Sequence, residues 1–177
     1  MNFDIEAFLK TGKPCFFKKN EYVLRQGELS NKVYFVVNGF VRHFVIDKDG
    51  NEKTIRLTIE NGFFYSSNIS FYLGEPSYIN CQVLENTNLI YWTSKQLDEL
   101  RSSNTGFLEF ESKQLISFII EKHKKEISRI TKTAKDRLTE FNKNNIAFFN
   151  RIPHHIIASY LDMTPETLSR LRANLKS

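Results

Sequence analysis

At 177 residues, 41% apolar and 25% charged, the chain is long enough for one large domain or two small ones with a real core. It has no apolar run near the ~20 residues of a membrane helix, and its opening, MNFDIEAFLKTGK, mixes acids and bases unlike a secretory leader. A cytoplasmic protein without membrane contact is expected.

Two cysteines, Cys15 and Cys81, are too few for a four-cysteine cluster, and neither belongs to a C-x-x-C pair. No metal and no cofactor is expected. The net charge of +5 is uneven. Residues 1–111 hold 12 Lys/Arg against 14 Asp/Glu, whereas residues 112–177 hold 13 against 6. A neutral front and a basic rear point to a polyanionic partner for the rear.

From Phe16 to Trp92 the texture is that of β-structure. YVLRQGE, KVYFVVNGFVRHFVI, EKTIRLTI and NLIYWT are rich in β-branched and aromatic residues, and Gly27, Gly39, Gly50 and Gly62 punctuate them at steps of 12, 11 and 12. Short strands at that spacing predict a sandwich or jelly-roll barrel. Asp49-Gly50 predicts a hairpin, and Asn38-Gly39 and Asn61-Gly62 predict further turns.

SKQLDELRSS then reads as a short helix with Ser94 as its N-cap. A long proline-free segment follows. In it Ile116, Ile120, His123, Ile127, Ile130 and Ala134 fall at steps of 4, 3, 4, 3 and 4, a heptad seam flanked by charged residues. A second copy of the chain is the economical cover for so narrow a stripe, which predicts a homodimer.

Near the C-terminus, IASYLDMTPETLSRL carries apolar residues at 157, 158, 161, 163, 168 and 171. Two short helices crossing at a tight turn need that set, so a helix-turn-helix is predicted. Pro153 starts the first helix, Asp162 takes the left-handed turn position, and Thr164 caps a second helix that opens with Pro165. Glu166, Ser169, Arg170 and, to one side, Arg172 are left outside. Arg can donate twice to guanine and Glu can accept from cytosine, as a major-groove reader requires.

Barrel, long helix and helix-turn-helix, in that order, resemble the Crp/Fnr (catabolite activator / fumarate–nitrate regulator) family of transcriptional regulators. The resemblance rests on RQGELSNKVYFVVNGFV, IDKDGNEKTI, NGFF and MTPETLSRLRANL. It implies an α+β chain: an N-terminal double-stranded β-helix, the cyclic-nucleotide-binding-like jelly-roll sensor domain, over 1–106; a long dimerisation helix over 107–136; and a helix-turn-helix DNA-binding domain over 137–177. It also implies a homodimer on double-stranded promoter DNA, with RNA polymerase as a further partner and an effector the sequence does not name. Glu166, Ser169 and Arg170 are the implied base readers, with Thr164, Thr167 and Arg172 on the DNA backbone.

The sequence departs from the family at the nucleotide cradle. The Gly-Glu of nucleotide-responsive members falls on Ser66-Ser67, and their Arg-Ser/Thr falls on Ser77-Tyr78. With no Arg or Lys between Arg56 and Lys95, control by cyclic AMP or cyclic GMP is not expected. The chain between the long helix and the helix-turn-helix, NKNNIAFFNRIPHH, implies a reduced or absent wing. The alternative function is a small-ligand sensor or adaptor acting through protein contacts, with a vestigial DNA-binding domain. An enzyme on a cupin-like barrel is not expected, because His43 is the only barrel histidine, and no catalytic residue is assigned.

Overall fold

The computed structural model describes residues 3–176, with the backbone alone at 144–148 and 175–176. A short helix α1 (Ile5–Thr11) leads into eight strands: β1 (Lys13–Phe17), β2 (Tyr22–Leu24), β3 (Lys32–Asn38), β4 (Val41–Ile46), β5 (Glu52–Thr58), β6 (Phe63–Tyr65), β7 (Asn80–Val83) and β8 (Thr87–Thr93). A one-and-a-half-turn helix, α2 (Asn68–Leu73), separates β6 from β7. The strands form two antiparallel four-stranded sheets, ordered β1-β8-β3-β6 and β2-β7-β4-β5. This is a jelly roll. Its interior is filled from both faces by Leu24, Tyr34, Val36, Val41, Phe64, Cys81, Val83 and Leu89.

The hairpin between β4 and β5 forms at the predicted dipeptide. Gly50 has φ +82, and the Asp47 carboxylate accepts from the backbone N–H groups of Asp49 and Asn51. Those bonds to the ionised form hold Asp47 below the usual carboxylate range, with the Asn51 N–H as the largest contribution. At Asn61-Gly62 the positive φ falls on Asn61 instead, at +64.

Gly39 is constrained twice over. Its φ is +109, and a Cβ there would lie 2.3 Å from Thr87 Oγ1 and 2.9 Å from the Thr87 backbone. Gly39→Ala is expected to destabilise the fold by about 2–4 kcal/mol, from left-handed strain plus a clash the sheet cannot relieve. Chemical denaturation of the two forms checks this.

Behind the barrel, α3 (Ser94–Ser103) and α4 (Thr105–Thr131) pack through Leu97 and Phe107 onto Phe8, Val33, Phe35 and Trp92. Thr93, not Ser94, caps α3, in a reciprocal capping box with Gln96. The long helix stops short of the 107–136 that the resemblance implies. It stops at Thr131, Lys132 is extended, and α5 (Ala134–Phe149) begins. The cause is a second reciprocal cap: Thr133 Oγ1 accepts from the Asp136 N–H while the Asp136 carboxylate accepts from the Thr133 N–H. Ala134 therefore lies on α5, across the break from the other five seam positions.

The helices α6 (His154–Tyr160) and α7 (Pro165–Lys176) complete the fold. Among the described residues no strand follows β8, and α5 runs into α6 through Asn150–Pro153 with no wing hairpin. Leu138, Phe141, Phe149, Ile152, Ile156, Ile157, Leu161 and Leu168 form a core of their own, which continues into the barrel through Phe40 and Leu84. No helix among the described residues is long and apolar enough to cross a membrane.

Candidate nucleic-acid interface and sensor pocket

The turn between α6 and α7 is built by backbone chemistry. Asp162 has φ +55. The Met163 N–H donates to Ala158 O and the Asp162 N–H to Ser159 O, the two bonds of a Schellman cap. Glycine is usual at such a position, and a short polar side chain is the tolerated substitute. Thr164 Oγ1 then accepts from the Thr167 N–H at 3.2 Å and caps α7. Met163 and Leu171 are half-buried against Leu168 and the rest of this core.

With those residues turned inward, Glu166, Ser169 and Arg170 lie exposed at i, i+3 and i+4, on one face of α7. The Glu166 carboxyl is held below the usual range, first by its own backbone N–H and then by the Thr164 hydroxyl. It is therefore an ionised acceptor at neutral pH. Thr164 is also exposed, at a helix N-terminus whose free N–H groups suit a phosphate.

Arg172 is placed differently from its expected role on the DNA backbone. It is half-buried, its guanidinium lies 4.5 Å over the Phe149 ring, and it contacts His154 Nε2. Its charge is engaged within the head. Burial, with Arg172 adding to it, lowers the His154 pKa, so this imidazole stays neutral more readily than a free one.

Residues outside the sequence-level assignments fix the head in place. Arg137 on α5 donates to Leu161 O at 2.9 Å, Asp162 O at 3.1 Å and Lys132 O at 2.8 Å, clamping the helix-turn-helix turn. Strand β5 is the edge of its sheet, and Ser159 on α6 covers that edge. Its hydroxyl accepts from the Thr54 N–H at 2.8 Å and donates to Glu52 O at 3.0 Å. Arg151 reaches Glu60 and Glu85 on the barrel. Only the Thr133-x-x-Asp136 cap had a readable sequence signature; these other contacts depend on tertiary placement.

The segment expected to be a degenerate nucleotide cradle is closed by its own hydroxyls. Ser66, Ser67 and Ser77 are buried, while Tyr78 is exposed. Ser67 caps α2 by accepting from the Ser70 N–H, Ser66 bonds Ser30 at 2.6 Å, and Ser77 donates to Ile79 O at 2.8 Å. Gly74 is the left-handed C-cap of α2, so Gly74-Glu75 belongs to a helix end.

On α4, Ile116, Ile120, Ile127 and Ile130 are exposed, at 56%, 48%, 59% and 73%, with His123 exposed between them and Ile119 and Leu108 alongside. Ala134 is half-buried. The protomer itself leaves this stripe uncovered.

A jelly roll joined by a long helix to a helix-turn-helix is the architecture of a regulator of transcription. Comparison with known proteins agrees. The cyclic nucleotide-binding domain matches residues 14–104, just over half of the chain. The transcriptional activator protein anr of Pseudomonas aeruginosa is 27% identical over 94% of this chain and 71% of its own length. FnrA of Stutzerimonas stutzeri is 29% identical over the same shares. Among solved structures, FixK2 of Bradyrhizobium japonicum superposes with a TM-score of 0.82 at 17% identity, covering 93% of this chain and 84% of that one. The c-di-GMP responsive regulator CLP of Xanthomonas campestris follows at 0.76 and 16%, over 97% and 90%. The chain belongs to the cyclic nucleotide-binding domain family and, within it, to the Crp/Fnr-type regulators. Its likeness is to regulators of transcription, not to enzymes.

Proposed function

We propose that the chain is a homodimeric, sequence-specific DNA-binding regulator of transcription that does not answer to cyclic AMP or cyclic GMP. The observation that carries this reading is the face of α7. Glu166, Ser169 and Arg170 are presented together on a capped helix whose Leu168 and Leu171 are committed to the core of the head. An acceptor and a forked donor one helical turn apart match the donor–acceptor pattern of base edges in a major groove. Thr164 and Thr167, at the start of the same helix, are assigned to the phosphate backbone. The exposed isoleucines of α4 supply the self-complementary patch of a two-fold dimer. The proposed division is the jelly roll over 1–106, a dimerisation segment within 107–136 that spans the break after Thr131, and the DNA-binding domain over 137–177, with RNA polymerase as a further contact once the dimer is on a promoter.

Immunoprecipitation of the bound DNA from the source cells tests the function. A discrete set of promoter fragments sharing an inverted motif is expected, and fragments indistinguishable from input would refute it.

Independence from cyclic nucleotides rests on the cradle. A cyclic phosphate there would meet Ser66, Ser67 and Ser77, whose hydroxyls are already bonded to other protein groups, and no cation from 57 to 94. Burying a phosphate monoanion without a paired cation is unfavourable. Calorimetry is expected to show no binding of cyclic AMP or cyclic GMP tighter than about 100 μM. Micromolar affinity for either would contradict it.

A further inference from the structure

We propose that the head carries a proton-operated catch, in which neutral His154 holds Arg172 back from the DNA and protonation of that imidazole frees the guanidinium for a backbone phosphate. The proposal rests on the reading of α7 as the DNA-binding helix.

Arg172 stands one turn beyond Ser169, at i+3, so it borders the exposed face of Glu166, Ser169 and Arg170. A cation at the margin of such a face is placed to meet a phosphate rather than a base edge. In the free protomer it is held elsewhere. Arg172 is half-buried, and its guanidinium lies 4.5 Å over the ring of Phe149, the last residue of α5. Its Nη1 meets Nε2 of His154, the first residue of α6.

That contact permits one protonation state. A guanidinium has only donors, and neutral imidazole with its proton on Nδ1 can accept at Nε2. Imidazolium carries a donor on both nitrogens, so protonation replaces the hydrogen bond with two like charges in contact. Among the described residues neither His154 nor Arg172 makes an ion pair that would compensate them. The carboxylates of the surrounding elements are engaged elsewhere. Asp136 and Glu140 of α5 bond Thr133 and Lys132, Glu166 of α7 bonds Thr164, and Glu60 and Glu85 of the barrel bond Arg151 of the loop before α6. Lys135 and Lys143 of α5 and His155 of α6 are exposed. Burial, with Arg172 adding to it, lowers the His154 pKa, which keeps the catch closed at neutral pH.

A DNA phosphate reverses the balance. Once Arg172 is drawn out to it, His154 loses the neighbouring cation and takes up a proton more readily. By linkage, a proton on His154 favours DNA by the same factor. DNA affinity therefore rises as pH falls from the ordinary imidazole range toward the lowered His154 value of the free head.

Fluorescence anisotropy of the full chain on a labelled duplex of mixed sequence, about 30 base pairs long, tests this, because a phosphate contact needs no particular sequence. Titrations run at about pH 8 and about pH 6, each over a salt series. The parent is expected to bind at least about five-fold more tightly at the lower pH. The slope of log affinity against log salt should also steepen there, by about 0.9 for each freed Arg172. His154→Gln offers Arg172 a neutral acceptor at every pH and should lose both changes. His154→Ala should bind at the higher pH as the parent does at the lower. Arg172→Met should show neither change, and NMR of the free chain should find its His154 titrating higher than in the parent. A pH response that survives in His154→Gln, or one without a change in salt slope, would overturn the catch. Binding indifferent to pH removes the catch alone, whereas no binding at either pH removes the DNA-binding reading with it.

Discussion

Ile127→Glu is expected to convert the proposed dimer to a monomer while leaving the protomer folded. Ile127 is 59% exposed in the protomer, so a carboxylate there costs the isolated chain almost nothing. In a two-fold seam the same substitution acts twice. It removes two buried isoleucines, each worth about 1.5–3 kcal/mol of apolar burial, and places two like charges near the axis. In the proposed dimer each head contacts one half-site, so losing the dimer also removes the avidity of the second head. Affinity for an inverted site is expected to fall by about 10²-fold or more, while the denaturation midpoint measured on the monomer stays put. Sedimentation equilibrium reads the first effect and fluorescence anisotropy on duplex DNA the second. A dimer that survives the substitution would move the interface elsewhere.

Arg170→Ala is expected to weaken binding to the cognate site by about 1–3 kcal/mol per head and to relax the preference at one base pair of each half-site. Arg170 is exposed and makes no ion pair among the described residues, so its removal leaves the head intact. Two features separate this from loss of a phosphate contact. The penalty should shrink when the contacted base pair is changed, and the slope of affinity against salt should stay nearly constant. Equal affinity of the two proteins for the cognate site would remove Arg170 from the readers.

Much of this was legible along the chain because the signals are local. Gly39 and Gly50 take the positive φ their turns need, and the Asp49-Gly50 hairpin forms where its dipeptide stands. The apolar set around Asp162 closes into two crossing helices because each inward residue follows from helical period and one left-handed turn position. The end of the long helix was also written locally, in Thr133 and Asp136, but absence of proline is a weaker guide than presence of a cap. Arg172 looked like an outward charge by spacing, yet an aromatic ring and a histidine from other segments draw it inward. The contacts that seat the head on the barrel were out of reach. Ser159 matters because β5 is an edge strand, and edge position is a property of the assembled sheet.

That seating gives the barrel and the head a common element. The Glu52 and Thr54 backbone of β5 holds Ser159 of α6, and the Ile55 carbonyl accepts from Lys125 of α4. Three residues of one strand thus touch the head and the long helix. A shift of this hairpin would be felt at both, the kind of contiguous contact through which a two-state element couples distant sites.

The most direct test of the central claim is selection of bound duplexes from a random-sequence pool by the purified protein. A two-fold dimer reading with α7 predicts enriched inverted half-sites whose centres lie about 10–10.5 base pairs apart, one turn of DNA. Enrichment of a single unpaired half-site, or of no sequence at all, would contradict it.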